Sequence, residues 1–148
     1  MPALNTVLIV DDHAPFRSAL RDFLSQESDL SVVGEACNLR EALLLVGVMS
    51  PQLVLTDLSM PDARGTEAVS EIKRCYPEAK LIVLSSHAEH EYKHRCREAG
   101  ASGYVVKDAI HEELREAIRA ALGGRDCAQA AAPGSRPVAS GRQPRAEC

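Results

Sequence analysis

Three carboxylates stand where apolar runs stop. Asp11 and Asp12 follow the run Thr6–Val10, and Asp57 follows Leu53–Thr56. Two more functional groups sit at comparable places: a third apolar run ends at Ser85, and a fourth, Gly103–Val106, ends at Lys107. Acids at the ends of buried strands are costly to place without a partner. Three carboxylates held close together also need a counter-charge to stay ionised. Magnesium suits them, as a hard cation that takes oxygen ligands and keeps some of its waters. With a cation in place, Asp57 can act as a carboxylate nucleophile and become an aspartyl phosphate. Such a transfer depends on positioning and charge neutralisation, which Lys107 would assist and to which Ser85 would add a hydrogen bond.

The elements that must position these groups follow from periodicity. Strands are predicted over residues 6–10, 30–36, 53–56, 80–85 and 103–106, and the apolar period changes to 3.6 between them. Phe16, Ala19, Leu20, Phe23 and Leu24 mark a first helix, with Pro15 near its start. Asn38 reads as the N-cap of a second, with Glu41 three residues on. Ala68, Val69, Ile72 and Tyr76 mark a third, followed by Pro77. Tyr92, Cys96 and Ala99 mark a fourth, ended by Gly100. The fifth takes Asp108 as its cap and Gly123-Gly124 as its stop. Five βα units in a row predict a parallel sheet covered by helices on both faces. Ligands in such sheets bind beyond the carboxyl ends of the strands, where the three aspartates fall.

The chain has 148 residues, 45 % of them hydrophobic, with no Trp and only five Phe and Tyr, so its core must be aliphatic. Its net charge of −4 divides into −6 over residues 1–122 and +2 over residues 123–148. An acidic body gives no support for nucleic-acid binding. No signal peptide is visible, and the longest apolar stretch, Ala42–Met49, is too short to span a bilayer. The five cysteines form no C-x-x-C pair, and reduced thiols in a cytoplasmic protein are the expectation. Of the last 26 residues, 19 are Ala, Gly, Pro, Ser or Arg. The expected division is therefore a folded domain over 1–122 and a disordered tail over 123–148.

The segments Val7–His13, Leu55–Pro61, Val83–Ser86 and Gly103–Asp108 closely resemble the receiver domain of bacterial two-component response regulators. The resemblance covers about residues 4–122, with the motifs in order and at the expected spacing. Gly103–Ala109 and Ile118–Arg125 look most like the NarL/FixJ (LuxR-type) branch, whose members carry a helix-turn-helix output domain. The resemblance implies a flavodoxin-like (βα)5 fold with strand order 2-1-3-4-5. It implies Asp57 as phosphoacceptor and Mg2+ held by Asp11, Asp12, Asp57 and the carbonyl of Ser59. Lys107 would pair with the phosphoryl group, and Ser85 and Tyr104 would form the switch pair. Pro61 and Gly65 would shape the loop, small Ser86 would admit the donor, and Ser59 and His87 would tune phosphoryl lifetime. Implied partners are a histidine kinase or phosphotransfer protein, and a second copy through the fourth and fifth helix surface.

Plainer readings compete with these. Asp12 could simply cap the first helix. Alone, Ser85 is an ordinary strand-end hydroxyl and Tyr104 a rim residue. His90 and His94 are spaced to chelate zinc, but a solvated helix face that also carries Lys93, Arg95 and Arg97 is the favoured reading. Two functions from different classes remain: a phosphorylated signalling domain that is not an enzyme, and a truncated DNA-binding transcriptional regulator of the NarL/FixJ type. Residues 123–148 have neither the length nor the periodicity for a helix-turn-helix, so specific DNA binding by this chain is not expected. A nucleotide-binding enzyme is disfavoured, because no G-x-G-x-x-G follows the first strand.

Overall fold

The strands form where apolar side chains must be buried on both sides. In a computed structural model, which describes residues 4–64, 66–87 and 90–123, seven strands and five α-helices are present. The order is β1 (Asn5–Val10), α1 (Ala14–Leu24), β2 (Leu30–Ala36), α2 (Leu39–Met49), β3 (Leu53–Asp57), β4 (Ser59–Met60), β5 (Ala63–Arg64), α3 (Glu67–Cys75), β6 (Lys80–Ser85), α4 (His90–Ala99), β7 (Gly103–Val106) and α5 (Ile110–Leu122). The main sheet runs β2-β1-β3-β6-β7 with every pairing parallel. This is the predicted order 2-1-3-4-5 once the short hairpin β4–β5, which periodicity did not reveal, is set aside.

Alternate residues of each strand feed opposite cores. Leu8, Val10, Val54, Leu81 and Val83 face a cluster completed by Ala42 and Val46 of α2, Val69 and Ile72 of α3, and Cys96 of α4. Val7, Ile9, Leu53, Leu55, Ile82 and Leu84 face the other side, against Leu20 and Leu24 of α1 and Leu114 and Ile118 of α5. Burial on both faces is why the strands read as unbroken apolar runs.

The helix ends mostly follow the local signals. Pro15 lies in the first turn of α1. The Asn38 side chain accepts the Glu41 N–H at 2.8 Å at the start of α2. Gly100 follows α4 with φ +117°, a conformation that favours glycine. Asp108 does not cap α5. It lies in a 3-10 turn over Lys107–Ala109, which delays the helix until Ile110. Among the described residues Cys37 and Cys96 are free thiols. Cys127 and Cys148, Gly65, Gly124 and the predicted tail beyond it lie outside the described residues. No described helix is long and apolar enough to cross a membrane.

Candidate functional site

Each site residue is delivered by a strand end. Asp11 directly follows β1, and its N–H donates to the Ala36 carbonyl at 3.0 Å, fixing it beside the end of β2. Asp57 is the last residue of β3, in register with Leu84 of β6, so Ser85 lies one step beyond. Lys107 begins the turn after β7. Parallel pairing brings all these ends to one edge of the sheet.

At that edge one oxygen of each of Asp11, Asp12 and Asp57 lies within 4.8 Å of the others. Asp11 is only 2 % exposed, and Asp12 is open to solvent. Lys107 reaches across from the edge strand: its Nζ is 2.9 Å from Asp11 Oδ2 and 3.6 Å from Asp57 Oδ2. The Phe16 ring supports the same ammonium at 4.2 Å. The remaining oxygens are also held. Asp11 Oδ1 accepts the His13 N–H at 2.8 Å, and Asp57 Oδ1 accepts the Leu58 N–H at 2.8 Å. Asp12 is not the N-cap of α1, which is His13, with no side-chain capping bond.

One ammonium against three carboxylates leaves a formal charge of −2, the amount a divalent cation offsets. The donor set is all oxygen, as a hard cation prefers.

Burial raises the Asp57 carboxyl above its ordinary value; the neighbouring Asp11 charge adds to this, and Lys107 with the N–H groups of Leu58 and Ser59 opposes it. A carboxyl whose folded pKa exceeds its unfolded pKa binds its proton more tightly in the folded state. Its stabilising contribution is complete below the unfolded pKa and is lost as pH rises through the folded value. In metal-free protein at neutral pH, Asp57→Asn should therefore raise Tm, and the gap should close as pH falls toward the carboxylate range. Thermal denaturation across pH in EDTA checks this, and a variant less stable than wild type at pH 7 would contradict it.

The expected switch residues meet at one loop position. Ser85, 1 % exposed, accepts the His87 N–H on Oγ at 3.0 Å, and the Tyr104 hydroxyl donates to the His87 carbonyl at 2.7 Å. The His87 ring stacks on Tyr92 at 4.6 Å. Ser59 lies exposed in β4, and Pro61 is in the turn of the β4–β5 hairpin. His94 pairs with Glu98 at 3.2 Å on the exposed face of α4, in keeping with a solvated surface.

Three residues at or near the site were missed. The helical period marks Phe16 only as a core position. Arg17 donates to the Asp11 carbonyl at 2.5 Å and to Glu35 at 3.0 Å. Asp62 accepts two backbone N–H groups of α2. Its sequence signal, a Pro-Asp pair, indicates a turn and says nothing about α2.

Residues 7–119 match the family of response regulator receiver domains. The chain belongs to that family. This receiver is 36 % identical over 113 residues to the response regulator protein VraR of Staphylococcus aureus, covering 76 % of this chain and 54 % of that one. It thus spans about half the length of the curated relatives it matches. A LuxR-family two-component response regulator from Aurantimonas superposes with a TM-score of 0.80 at 33 % identity, covering 84 % of this chain and 89 % of its own. The isolated receiver domain of RcsB from Salmonella enterica, solved with phosphomimetic BeF3-, gives 0.77 at 26 % identity, with 83 % and 91 % covered. The receiver is therefore a signalling domain of the two-component type, related to LuxR-type regulators as its motifs implied.

Proposed function

We propose that this receiver accepts a phosphoryl group on Asp57 from a histidine kinase or phosphotransfer protein, and that the modification alters its partner-binding surface. The observation that carries this reading is the meeting of Asp11, Asp12 and Asp57 with Lys107 at the carboxyl edge of the sheet. Asp11, Asp12, Asp57 and the Ser59 carbonyl would hold Mg2+, which supplies neutralisation of the carboxylates and the phosphoryl oxygens. Asp57 Oδ1 is occupied by the Leu58 N–H, so Oδ2 is the oxygen presented for attack. The Oδ2–P bond forms as the bond from phosphorus to the donor breaks, and the donor leaves with that electron pair. Lys107, already 3.6 Å from Oδ2, pairs with the added negative charge. Ser85 then exchanges its contact with the His87 N–H for a phosphoryl oxygen, and Tyr104, held to the same residue, follows. Such an element shifts only by the difference in phosphoryl affinity between its two states. The folded unit is residues 1–122, the location cytoplasmic, and a second copy would pair through the α4 and α5 surface.

A second reading, that these residues are the receiver of a DNA-binding transcriptional regulator of the NarL/FixJ type, is supported by the likeness to a LuxR-family response regulator. In both readings signal entry is the same. Incubation with acetyl phosphate and Mg2+ should give a single phosphoryl adduct by intact mass, absent when EDTA is added first. Equal adduct with EDTA would reject a metal-dependent site.

A further inference from the structure

We propose that Asp62 is a positioning residue for the metal site, pinning the loop that carries Ser59 to the start of α2. This rests on the phosphoryl-acceptor reading above and goes beyond it. Asp62 sits with Pro61 in the two-residue turn of the β4–β5 hairpin, where Ser59 pairs with Arg64 and Met60 with Ala63. The Leu39 N–H donates to Asp62 Oδ1 at 2.8 Å, and the Arg40 N–H donates to Oδ2 at 3.1 Å. Helix starts leave such N–H groups without intrahelical partners. Asn38 satisfies only the Glu41 N–H with its side chain, and Asp62 takes the two groups that Asn38 does not reach.

The restraint works in both directions. A carboxylate from another element caps α2, and α2 in turn holds the hairpin. Both oxygens are used, on adjacent N–H groups, so the hairpin turn is fixed in orientation as well as place. Beneath it Met60 and Ala63 are buried in the same cluster as Leu39 and Ala42. The hairpin is thus fastened from below by apolar contact and at its tip by Asp62. Its first residue is Ser59, the expected carbonyl ligand, and the chain immediately before it is Asp57-Leu58. The bonds from Leu39 and Arg40 also hold the Asp62 carboxyl below its ordinary value, so it stays ionised as a cap. Groups that orient metal ligands without touching the metal commonly change affinity by roughly 10–100-fold when removed.

The test compares Asp62→Ala, Asp62→Asn and Asn38→Ala with wild type. Mg2+ binding to unphosphorylated protein is followed by amide chemical shifts, and the acetyl phosphate reaction is measured against Mg2+ concentration. Asp62→Ala should raise the half-saturating Mg2+ about tenfold in both measurements, with the rate at saturating Mg2+ little changed. Asp62→Asn, which keeps one acceptor oxygen and the same shape, should show a smaller rise and serves if the alanine variant does not fold. Asn38→Ala weakens the start of α2 without touching the hairpin and should leave half-saturation unchanged. The proposal is overturned if Asp62→Ala only unprotects the Leu39 and Arg40 amides with Mg2+ affinity intact. It is also overturned if Asn38→Ala shifts half-saturation as far as Asp62→Ala does. Wild type that neither binds Mg2+ nor forms an adduct would reject the receiver chemistry itself, and its own curve distinguishes that failure.

Discussion

Asp57→Asn should eliminate the phosphoryl adduct, lowering its rate of formation by at least about a thousandfold, because a carboxamide offers no anionic oxygen to attack phosphorus. The substitution keeps size and shape, so the loss is chemical and not a matter of packing. The two other acids are poor replacements. Both oxygens of Asp11 are engaged, by His13 N–H and by Lys107, and the side chain is 2 % exposed. Asp12 is exposed and, among the described residues, has no ammonium as close as the one beside Asp57. Intact mass after treatment with acetyl phosphate and Mg2+ is the measurement. An adduct that persists at the wild-type level in the variant would remove Asp57 from its assigned role. Because the same variant should be the more stable one without metal, misfolding can be checked separately in the same sample.

Lys107→Ala should slow adduct formation about a hundredfold, the order lost when one preorganised donor to developing charge is removed. Half-saturating Mg2+ should not rise. Lys107 competes for the carboxylates that the cation uses, and its removal leaves them to the metal. Stability should move too. Lys107 is the ion-pair partner of the buried Asp11, and deleting one member of a buried pair costs about 3 kcal/mol, less whatever the His13 N–H retains. Urea denaturation without metal should show that loss, and saturating Mg2+ should restore part of it by binding the folded state. A wild-type rate in Lys107→Ala would show that the ammonium serves only as a counter-ion for Asp11 in the metal-free protein.

The readability of this chain is uneven for a physical reason. The inner strands were visible because a strand buried on both faces must be apolar throughout, and Leu53–Leu55 and Leu81–Leu84 are. The helices with strong amphipathic stripes were equally visible, as Leu114 and Ile118 of α5 show. The hairpin β4–β5 was not, since two-residue strands have no period to detect. Asp108 does not cap α5 because a 3-10 turn over Lys107–Ala109, a common prelude to an α-helix, precedes it.

The aspartates themselves were legible before any coordinates, since polar residues that end apolar runs mark strand ends and parallel strands end on a common edge. That much is local and periodic information. What the three-dimensional arrangement added is partnership. Lys107 crosses from β7 past β6 and β3 to a carboxylate 96 residues away, Phe16 lies under the ammonium, and Asp62 reaches the start of α2, 23 residues upstream. None of these pairings follows from spacing, because each depends on strand order and on how loops of different length fold over one edge. Charges and apolar runs said what chemistry the edge could perform, and the packing of distant elements decided which groups restrain Asp57 while it performs it.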